Sequence, residues 1–242
     1  MSLNKFVRKE ALPLKWCPGC GLHALFFTVC EVLEELNLDN TVIVSGIGCT
    51  GRGAGYFNLD SIYGIHGRAI PLAVGVKAVN PKLNVLVFSG DGDILGIGGN
   101  HLLHSARRND NITVICNNNE VFAMTGGQLS PTTRIGGITT TTPKGSAYYP
   151  INIQGLLTSN KKFFYARTAP AFKSHLKKCL KKALTHQGFS FVDVINPCIT
   201  NYGKRMGWNN SAEMFNDIRR RYKINNKTKI LKDNELGFIT ND

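Results

Sequence analysis

The chain has 242 residues, of which 43% are hydrophobic, so it is long enough to form one large domain with a full core. Its 29 Lys and Arg residues outnumber 16 Asp and Glu residues and give a net charge of +13. No segment is long and apolar enough to cross a bilayer, and the first residues lack the apolar region of a signal peptide. We therefore expect a cytoplasmic protein with no membrane association.

Much of the positive charge lies in two segments, 161–182 and 219–232. A solvated basic surface, an acidic protein partner and a nucleic acid are three interpretations of such segments, in that order of preference. No recognised nucleic-acid-binding motif accompanies the charge, so we expect no nucleic-acid partner.

The first motif along the chain is a Cys-x-x-Cys pair, Cys17 and Cys20, which directly precedes apolar residues at helical spacing over 22–36. The pair is open to four interpretations: half of a zinc site, a dithiol redox pair, half of an iron–sulfur site, or two incidental thiols. The start of the helix is expected to lower the pKa of these thiols and to favour an anionic sulfur cluster.

A glycine-rich loop over 46–55 follows a short predicted strand over 41–45, as expected of a ligand loop at a strand end, and it contains Cys49. Further on, His66 precedes a predicted helix over 69–79. A histidine in this position could contact a phosphate or could bond to local backbone, and the sequence leaves both interpretations open.

The next two predicted strands end in polar residues. The strand over 84–88 runs into Ser-Gly-Asp-Gly-Asp, which contains Asp91, and the strand over 111–117 ends shortly before Asn119. Because parallel strands bring their carboxyl ends to one edge of the sheet, we expect these two side chains to meet. Carboxylate and amide oxygens suit Mg²⁺ that holds a diphosphate. The sequence therefore predicts a phosphate and metal site.

The rest of the chain continues the alternation of helices and strands. Helices are predicted over 97–108 and 171–186 and strands over 161–167 and 190–195; the polar loop over 126–145 is interpreted as a lid, a partner contact or a disordered segment, and 225–242 as a tail or partner arm. His101 and His104 are assigned a packing role because no further His completes a metal site. Alternating strands and helices predict an α/β fold, with a mostly parallel sheet covered by helices on both faces.

Seven cysteines are an odd number, which argues against a disulfide framework. Four of them lie in loops or at the ends of elements, namely Cys17, Cys20, Cys49 and Cys198, whereas Cys30, Cys116 and Cys179 lie within apolar elements. We therefore expect the first four to be available as metal ligands and the other three to be buried. Their number alone does not decide between zinc and an iron–sulfur cluster.

Eight motifs occur in order along the chain: Trp-Cys-Pro-Gly-Cys-Gly, Ser-Gly-Ile-Gly-Cys, His-Gly-Arg-Ala, Gly-Asp-Gly-Asp, Gly-Gly-Asn-His, Ala-Arg-Arg-Asn, Thr-Gly-Gly-Gln-x-Ser-Pro-Thr-Thr and Asn-Pro-Cys. Together they resemble the beta subunit of 2-oxoacid:ferredoxin oxidoreductases. The resemblance covers residues 16–202 and implies a thiamine diphosphate and iron–sulfur binding domain there. It leaves an N-terminal leader over 1–15 and a basic C-terminal extension over 203–242.

The resemblance implies a reaction: coenzyme A-dependent oxidative decarboxylation of 2-oxoglutarate, or the reverse carboxylation, with electrons passed through a [4Fe-4S] cluster to ferredoxin. Pyruvate or a broad range of 2-oxoacids is the alternative substrate. A second alternative, from another class, is a non-catalytic zinc or nucleic-acid binding protein, which gives no reason for the Gly-Asp-Gly motif or for Asn119. Another thiamine enzyme, such as a decarboxylase or synthase, gives no reason for the four cysteines.

The resemblance also implies roles for residues of this chain. The Mg²⁺ ligands would be Asp91, Asn119 and the main-chain oxygen of Val121, and the [4Fe-4S] ligands would be Cys17, Cys20, Cys49 and Cys198. The thiamine diphosphate would contact Ile47, Gly48, His66, Gly90, Asp91, Gly92, Asp93, Asn119, Val121 and Thr125. Arg52 and His66 are the candidate catalytic residues. Arg52 and Arg68 could each bind a substrate carboxylate or stabilise its own loop.

Family members activate the cofactor with a glutamate from an alpha subunit, so we expect this chain to be inactive alone and to pair with such a subunit. A gamma or delta chain is a further candidate partner. Ferredoxin, coenzyme A and a 2-oxoacid complete the expected set. Ferredoxins are typically acidic, which would give the net charge of +13 a function in docking.

Overall fold

The structure is a computed structural model that describes residues 4–241. The helices are α1 (Leu22–Glu35), α2 (Ala69–Val79), α3 (Gly99–Arg108), α4 (Ile153–Thr158), α5 (Lys173–Thr185) and α6 (Ser211–Arg221). The strands are β1 (Thr41–Ser45), β2 (Ser61–Tyr63), β3 (Asn84–Gly90), β4 (Thr113–Asn118), β5 (Val121–Phe122), β6 (Gln128–Leu129), β7 (Phe163–Thr168), β8 (Ser190–Ile195), β9 (Lys223–Ile224) and β10 (Glu235–Asn241). None of these helices is long and apolar enough to cross a membrane.

Within residues 4–241, eight strands form one sheet in the order β2-β1-β3-β4-β8-β7-β10-β9. Every neighbouring pair in this sheet is parallel except β7 and β10, which are antiparallel. Strands β5 and β6 form a separate antiparallel hairpin. The predicted mostly parallel sheet is confirmed.

Helices cover both faces of this sheet because successive strand residues point to opposite sides. Ile43 of β1 packs into the cluster that contains the apolar sides of α1 and α5. Its neighbours Val42 and Val44 pack into a second cluster, with apolar residues of α2, α3 and α4. The two core clusters therefore lie on opposite faces, as the sequence predicts for an α/β fold.

The residues between β3 and α3 depart from the prediction. A π-helical turn, Gly92–Ile97, follows β3, and α3 begins after it at Gly99 rather than at the predicted residue 97. Such turns are rare and are concentrated at functional sites. This turn places the second half of the Gly-Asp-Gly-Asp motif in a helical conformation at the carboxyl end of β3.

The predicted N-terminal leader packs into the main domain over the residues that the structure describes. Phe6 and Val7 are buried in the cluster that contains α1 and α5, and Val7 forms an isolated bridge with Phe57. Residues 1–3 of the leader lie outside the described residues. The boundary at residue 15 stays a prediction, but residues 4–15 share the core of the following domain.

The interpretation of 225–242 as a tail or partner arm is wrong for residues 235–241, which form β10. Residues 237–241 of this strand pair antiparallel with β7, and residues 235–236 pair parallel with β9. Leu236 and Ile239 enter the core, while polar residues on either side hide this short apolar run in the sequence. Residue 242 lies outside the described residues.

Part of the basic segment over 161–182 pairs with acidic residues of the same chain. On α5, Lys173 Nζ lies 2.8 Å from Glu31 Oε1 of α1, and Lys177 Nζ lies 2.5 Å from Glu35 Oε1. Lys181 Nζ lies 2.6 Å from the other oxygen of Glu35. These lysines therefore join two helices, and this part of the positive charge is matched within the fold.

Candidate functional site

Asp91, at the carboxyl end of β3, is buried with 1% of its surface exposed. Its Oδ1 accepts a hydrogen bond from the Asn119 N–H at 3.2 Å. Its Oδ2 accepts hydrogen bonds from the hydroxyls of Thr132, at 2.5 Å, and of Ser130. Both hydroxyls belong to the polar loop over 126–145, so the first part of this loop holds the carboxylate in place instead of being disordered.

The chemistry of Asp91 and its neighbours fits a hard divalent cation. Burial raises the pKa of the Asp91 carboxyl, and the hydrogen bonds from Ser130, Thr132 and Asn119 lower it in part. A buried carboxylate gains most from a nearby positive charge, and a metal ion supplies one. The side-chain oxygen of Asn119 accepts the Val121 N–H at 3.2 Å, so this amide is fixed beside the carboxylate.

Asp93, two residues further on, connects three segments of the chain. Its Oδ1 accepts the Ile47 N–H at 3.1 Å and the Gly67 N–H at 2.7 Å, and its Oδ2 accepts the Ser89 hydroxyl at 2.8 Å. His66 Nδ1 lies 3.9 Å from the same carboxylate. Asp93 therefore holds the loop after β1 and the segment before α2 against β3, a role that the sequence analysis did not assign.

A small cavity, here called the Asp91 cavity, lies at the carboxyl ends of β1, β3 and β4. All ten predicted cofactor-binding residues line it: Ile47, Gly48, His66, Gly90, Asp91, Gly92, Asp93, Asn119, Val121 and Thr125. Its volume is about 70 Å³. Small-molecule pockets usually measure roughly 300–1,000 Å³. This chain therefore encloses only part of a ligand as large as an organic cofactor.

Two polar atoms beside the Asp91 cavity lack a hydrogen-bond partner among the described residues: Thr50 Oγ1 and His66 Nε2. Buried polar atoms in native proteins are nearly always bonded, so a polar ligand in this cavity would account for both. The His66 ring stacks on Phe122 with 6.1 Å between ring centroids. Gly48 has a φ of +124°, a conformation that glycine adopts without strain.

A second cavity, here called the thiol cavity, has a volume of about 230 Å³ and is lined by all four predicted cluster ligands, Cys17, Cys20, Cys49 and Cys198. The segment of Cys17 and Cys20 is joined to the loop of Cys49 by a hydrogen bond of 2.7 Å from Trp16 Nε1 to the main-chain oxygen of Cys49. The remaining cysteines, Cys30, Cys116 and Cys179, are buried, as predicted. Of the four lining thiols, Cys17 is exposed and the others are half-buried.

The two cavities are adjacent, since Cys49, Asn119, Ala123 and Met124 line both. The peptide groups of Asn119 also connect them. The Asn119 N–H donates to Asp91, and its carbonyl oxygen accepts the N–H of Cys198 at 3.1 Å. Asn119 is therefore hydrogen-bonded both to Asp91 of the Asp91 cavity and to Cys198 of the thiol cavity.

The expectation that the start of α1 lowers the pKa of its thiols is wrong for Cys20. Burial raises the pKa of Cys20 to about 12, and the hydrogen bond from the Leu22 N–H lowers it by less. Burial likewise raises the pKa of Cys49 to about 11 and the pKa of Cys198. As free thiols these groups are protonated at neutral pH, and each must lose its proton to bind a metal.

The thiol cavity offers four sulfur donors, which is a donor set for either a zinc ion or an iron–sulfur cluster. Within residues 4–241, no three or more His, Cys, Asp or Glu side chains are grouped to hold a metal ion. The residue types that line this cavity therefore fit a thiolate-bound metal group of either kind.

The two arginines considered as substrate ligands both contact their own chain. Arg52 is exposed and lines the thiol cavity but not the Asp91 cavity, and its Nη1 lies 3.5 Å from the Lys15 carbonyl oxygen. Arg68 Nη1 lies 2.7 Å from His101 Nε2 on α3. Arg68 thus contacts α3 and not the thiols. Arg52 lies beside the thiols, and its positive charge partly offsets the rise that burial causes in the pKa of Cys49.

Comparison with known proteins agrees with this geometry. Residues 46–194 match the family model for the thiamine pyrophosphate enzyme, C-terminal TPP binding domain. The parallel sheet is therefore that of a thiamine diphosphate-binding enzyme, and the Asp91 cavity lies at its strand ends within the matched residues. The 2-oxoglutarate synthase subunit KorB of Methanothermobacter marburgensis is 41% identical over 224 residues, which are 90% of this chain and 79% of that protein. The chain belongs to the family of 2-oxoacid:ferredoxin oxidoreductase beta subunits, as its eight motifs indicate.

A second relative, the 2-oxoacid:ferredoxin oxidoreductase subunit beta of Saccharolobus solfataricus, is 42% identical over 189 residues, with 76% of this chain and 62% of that protein covered. A solved structure is also similar, with a TM-score of 0.82 and 29% identity over 96% of this chain and 77% of that one. It is the 2-oxoglutarate:ferredoxin oxidoreductase from Magnetococcus marinus with 2-oxoglutarate, coenzyme A and succinyl-CoA bound. The α/β fold is thus the fold of a thiamine diphosphate-dependent oxidoreductase.

Proposed function

We propose that this chain is the beta subunit of a 2-oxoglutarate:ferredoxin oxidoreductase. The complex catalyses the coenzyme A-dependent oxidative decarboxylation of 2-oxoglutarate, or the reverse carboxylation, and exchanges electrons with ferredoxin through a [4Fe-4S] cluster. The single observation that carries this proposal is the adjacency of the Asp91 cavity and the thiol cavity, which share Cys49 and Asn119. An electron acceptor beside an organic cofactor is what an oxidative decarboxylation requires.

In this proposal the Asp91 cavity holds Mg²⁺ and the diphosphate. Asp91, the amide oxygen of Asn119 and the main-chain oxygen of Val121 bind the ion, because these are the hard oxygen ligands that Mg²⁺ prefers. Thr50 and His66 give the diphosphate the polar contacts that the described residues leave unmet. Thiamine diphosphate, when bound, supplies the electron sink for decarboxylation, and an iron–sulfur cluster supplies a one-electron acceptor.

The four thiols of the thiol cavity hold the cluster in this proposal. Cys17 and Cys20 come from the loop before α1, Cys49 from the loop after β1 and Cys198 from the residues after β8. Burial disfavours the charged forms of Cys20, Cys49 and Cys198, so the metal must displace their protons when the cluster assembles. The bond from the Cys198 N–H to Asn119 then keeps the cluster loop against the magnesium ligand.

The size of the Asp91 cavity supports the requirement for an alpha subunit. At about 70 Å³ it is too small to enclose a whole thiamine diphosphate. Met124 lines both cavities and is 40% exposed, so the surface over them is partly apolar and open to a partner. We infer that the alpha subunit completes the cofactor site and supplies the activating glutamate, and that the beta subunit alone is inactive.

Broad 2-oxoacid specificity is the second candidate. Relatives named for 2-oxoacids in general match this chain at 41–42% identity, as closely as those named for 2-oxoglutarate. The candidates differ in how strongly the enzyme should select a substrate with a second carboxylate. A positively charged group at the cavity, such as Arg52, favours 2-oxoglutarate.

The test is anaerobic co-expression of this chain with the alpha subunit from the same organism. We expect iron and acid-labile sulfide in about four equivalents each per beta subunit, as the formula of the proposed cluster requires, with broad visible absorption. Coenzyme A-dependent viologen reduction should be fastest with 2-oxoglutarate in a panel that includes pyruvate and 2-oxobutyrate. The beta subunit alone is the matched control and should be inactive.

A colourless complex that carries zinc, or one that reduces viologen with no 2-oxoacid, would contradict the proposal. Equal rates with all three acids would support broad specificity instead. Activity of the beta subunit alone at the rate of the complex would disprove the need for an alpha subunit.

A further inference from the structure

Two buried amides lie at the thiol cavity beside the cysteines. Asn117 is near the end of β4, Asn196 directly follows β8, and both line the cavity with at most 2% of their surface exposed. Asn196 Nδ2 donates a hydrogen bond of 2.7 Å to Asn117 Oδ1. This bond uses one polar atom of each side chain. The second polar atom of each amide needs a hydrogen-bond partner of its own.

Those two atoms, Asn117 Nδ2 and Asn196 Oδ1, have no hydrogen-bond partner in the part of the chain that the structure describes. A buried donor without a partner destabilises a fold, and such atoms in native proteins usually bind a ligand, an ion or a water. Two apolar residues of similar size would fill the same space without the destabilisation that an unpaired buried polar atom causes. The pair therefore points to a group bound in the thiol cavity that accepts a hydrogen bond.

The surroundings of Asn196 determine which amide offers the free N–H. A Cβ atom added to Gly21 would lie 2.0 Å from Asn196 Oδ1 and 3.2 Å from its Nδ2, so the oxygen is the atom that faces this Cα. A carbonyl oxygen is a favourable neighbour for a Cα–H group, whereas an NH₂ group is not. Asn196 Nδ2 must then point to Asn117, and the free donor belongs to Asn117.

Strand geometry places this donor on the same face of the sheet as the cysteines. Asn117 lies two residues after Ile115, whose side chain packs into the core cluster that contains α1. Side chains two apart on a strand share a face. Cys20, just before α1, packs against the same cluster. The Asn117 amide and the cluster thiols therefore approach the cavity from one side of the sheet.

We propose that Asn117 Nδ2 donates a hydrogen bond to a sulfur atom of the cluster in the thiol cavity and thereby raises its reduction potential. The inference rests on the proposed function. A neutral donor next to sulfur stabilises the more negative, reduced cluster, and hydrogen bonds to sulfur are among the groups that set cluster potentials. Asn117 acts through the cluster ligands and the cluster itself, so it is a positioning residue and not a catalytic one.

The test compares the co-expressed alpha–beta complex with its Asn117→Leu variant in an anaerobic redox titration followed by electron paramagnetic resonance. The loss of one buried hydrogen bond should shift the equilibrium constant for cluster reduction about fivefold toward the oxidised form. For one electron this is a potential roughly 40 mV lower, at about 59 mV per tenfold. Pulsed spectroscopy of the reduced cluster should also lose the coupling of one exchangeable proton in the variant.

Thr113→Val is the matched control, because Thr113 is also a buried polar residue of β4 but bonds to Ser190 at the other end of the strand. Its potential should equal that of the wild type. Asn117→Ala serves as the second variant and should shift the potential in the same direction as Asn117→Leu.

The measured outcomes distinguish a failure of the proposed function from a failure of the proposed Asn117 hydrogen bond. A wild-type complex without iron and sulfide would contradict the proposed function, and this inference with it. A loaded Asn117→Leu complex with unchanged potential and an unchanged proton coupling would contradict the inference alone. If neither Asn117 variant assembles the cluster while Thr113→Val does, Asn117 is needed to build the site, and the proposed tuning is wrong.

Discussion

The Asp91 cavity and the thiol cavity share residues but are organised in different ways. In the Asp91 cavity the carboxylates of Asp91 and Asp93 each accept hydrogen bonds from several segments of the chain. In the thiol cavity the cysteines come from three loops, burial raises the pKa of most of them, and the Asn117 and Asn196 pair keeps a donor and an acceptor free among the described residues.

This difference separates two ways of building a site. The Asp91 cavity is preorganised, because the chain itself satisfies and positions its charged groups. The thiol cavity depends more on its occupant, because burial raises the pKa of Cys20, Cys49 and Cys198 and each of these thiols must lose its proton to bind a metal. We therefore expect the loss of one ligand to be more severe in the thiol cavity than in the Asp91 cavity.

The largest effect is expected for Cys198→Ser in the thiol cavity. Removing one of four thiolates should abolish cluster assembly, and iron and sulfide should fall to background in the anaerobically purified complex. Cys179→Ala is the matched control, because Cys179 is a buried thiol of α5 away from the cavity. Normal iron content in Cys198→Ser would remove this residue from the ligand set.

The next largest effect is expected for Asp91→Asn. The amide keeps the shape of the carboxylate, and the hydroxyls of Ser130 and Thr132 can reverse to accept its N–H, so the fold should persist. Loss of the charged magnesium ligand should weaken thiamine diphosphate binding by about 100-fold or more, beyond what loss of an outer partner costs. Calorimetric titration with thiamine diphosphate in the presence of Mg²⁺ measures this affinity. Iron content should stay normal, and its loss would show that the cavities are not independent.

A smaller effect is expected for Thr132→Val, which removes one hydroxyl donor from the Asp91 carboxylate and keeps the ligand. Loss of an outer partner typically weakens metal binding by about 10-fold to 100-fold, and Ser130 keeps one donor here, so we expect a value near the lower limit. The same calorimetric titration applies. Affinity equal to wild type would mean that the loop over 126–145 is not needed to orient Asp91.

Arg52→Ala tests the contribution of the thiol cavity to substrate binding. Exposed ion pairs contribute little, so the apparent KM for 2-oxoglutarate should rise about fivefold while that for 2-oxobutyrate, which lacks the second carboxylate, changes less. Steady-state viologen reduction by the complex gives both values. An equal change for the two acids would exclude Arg52 from the substrate carboxylate site.

The smallest effect is expected outside both cavities, at His175 of α5. Burial lowers the pKa of this imidazole, which bonds to Thr168 and Asn226. As the pH falls, this histidine is therefore protonated in the unfolded chain before it is protonated in the folded protein. The folded state loses stability as the pH falls below the ordinary histidine pKa of about 6.5. His175→Gln should reduce the fall in Tm between pH 7 and pH 5 by a few degrees, at roughly 2–4 °C per kcal/mol. Parallel curves for both proteins would contradict this assignment.

The sequence predicted residues that line both cavities because each of them follows a local pattern. Asp91 and Asn119 stand at the ends of apolar strands, and the four cysteines stand outside apolar elements. The sequence did not predict the hydrogen bonds that join residues far apart in the chain. Ser130 and Thr132 bond to Asp91 over separations of 39 and 41 residues, and no local pattern marks such a pair.

Strand β10 shows a second limit of sequence reasoning. Its apolar residues Leu236, Phe238 and Ile239 are few and are surrounded by polar and charged ones, so periodicity gives a weak signal. Its pairing with β7 depends on a partner about 70 residues earlier in the chain, whose open edge the sequence does not reveal. Similarly, the pKa of Cys20 depends on burial, which outweighs the local effect of the helix start.

The late position of β10 has a consequence for synthesis. Until residue 235 leaves the ribosome, the edge of β7 over 163–167 has no partner on that side, although its own sequence, Phe-Phe-Tyr-Ala-Arg, is apolar and rich in aromatic residues. Unpaired edges of this kind favour aggregation of nascent chains. A fragment that stops before residue 235 should therefore be prone to aggregate even though both cavities precede that point, and the yield of folded protein should depend on β10.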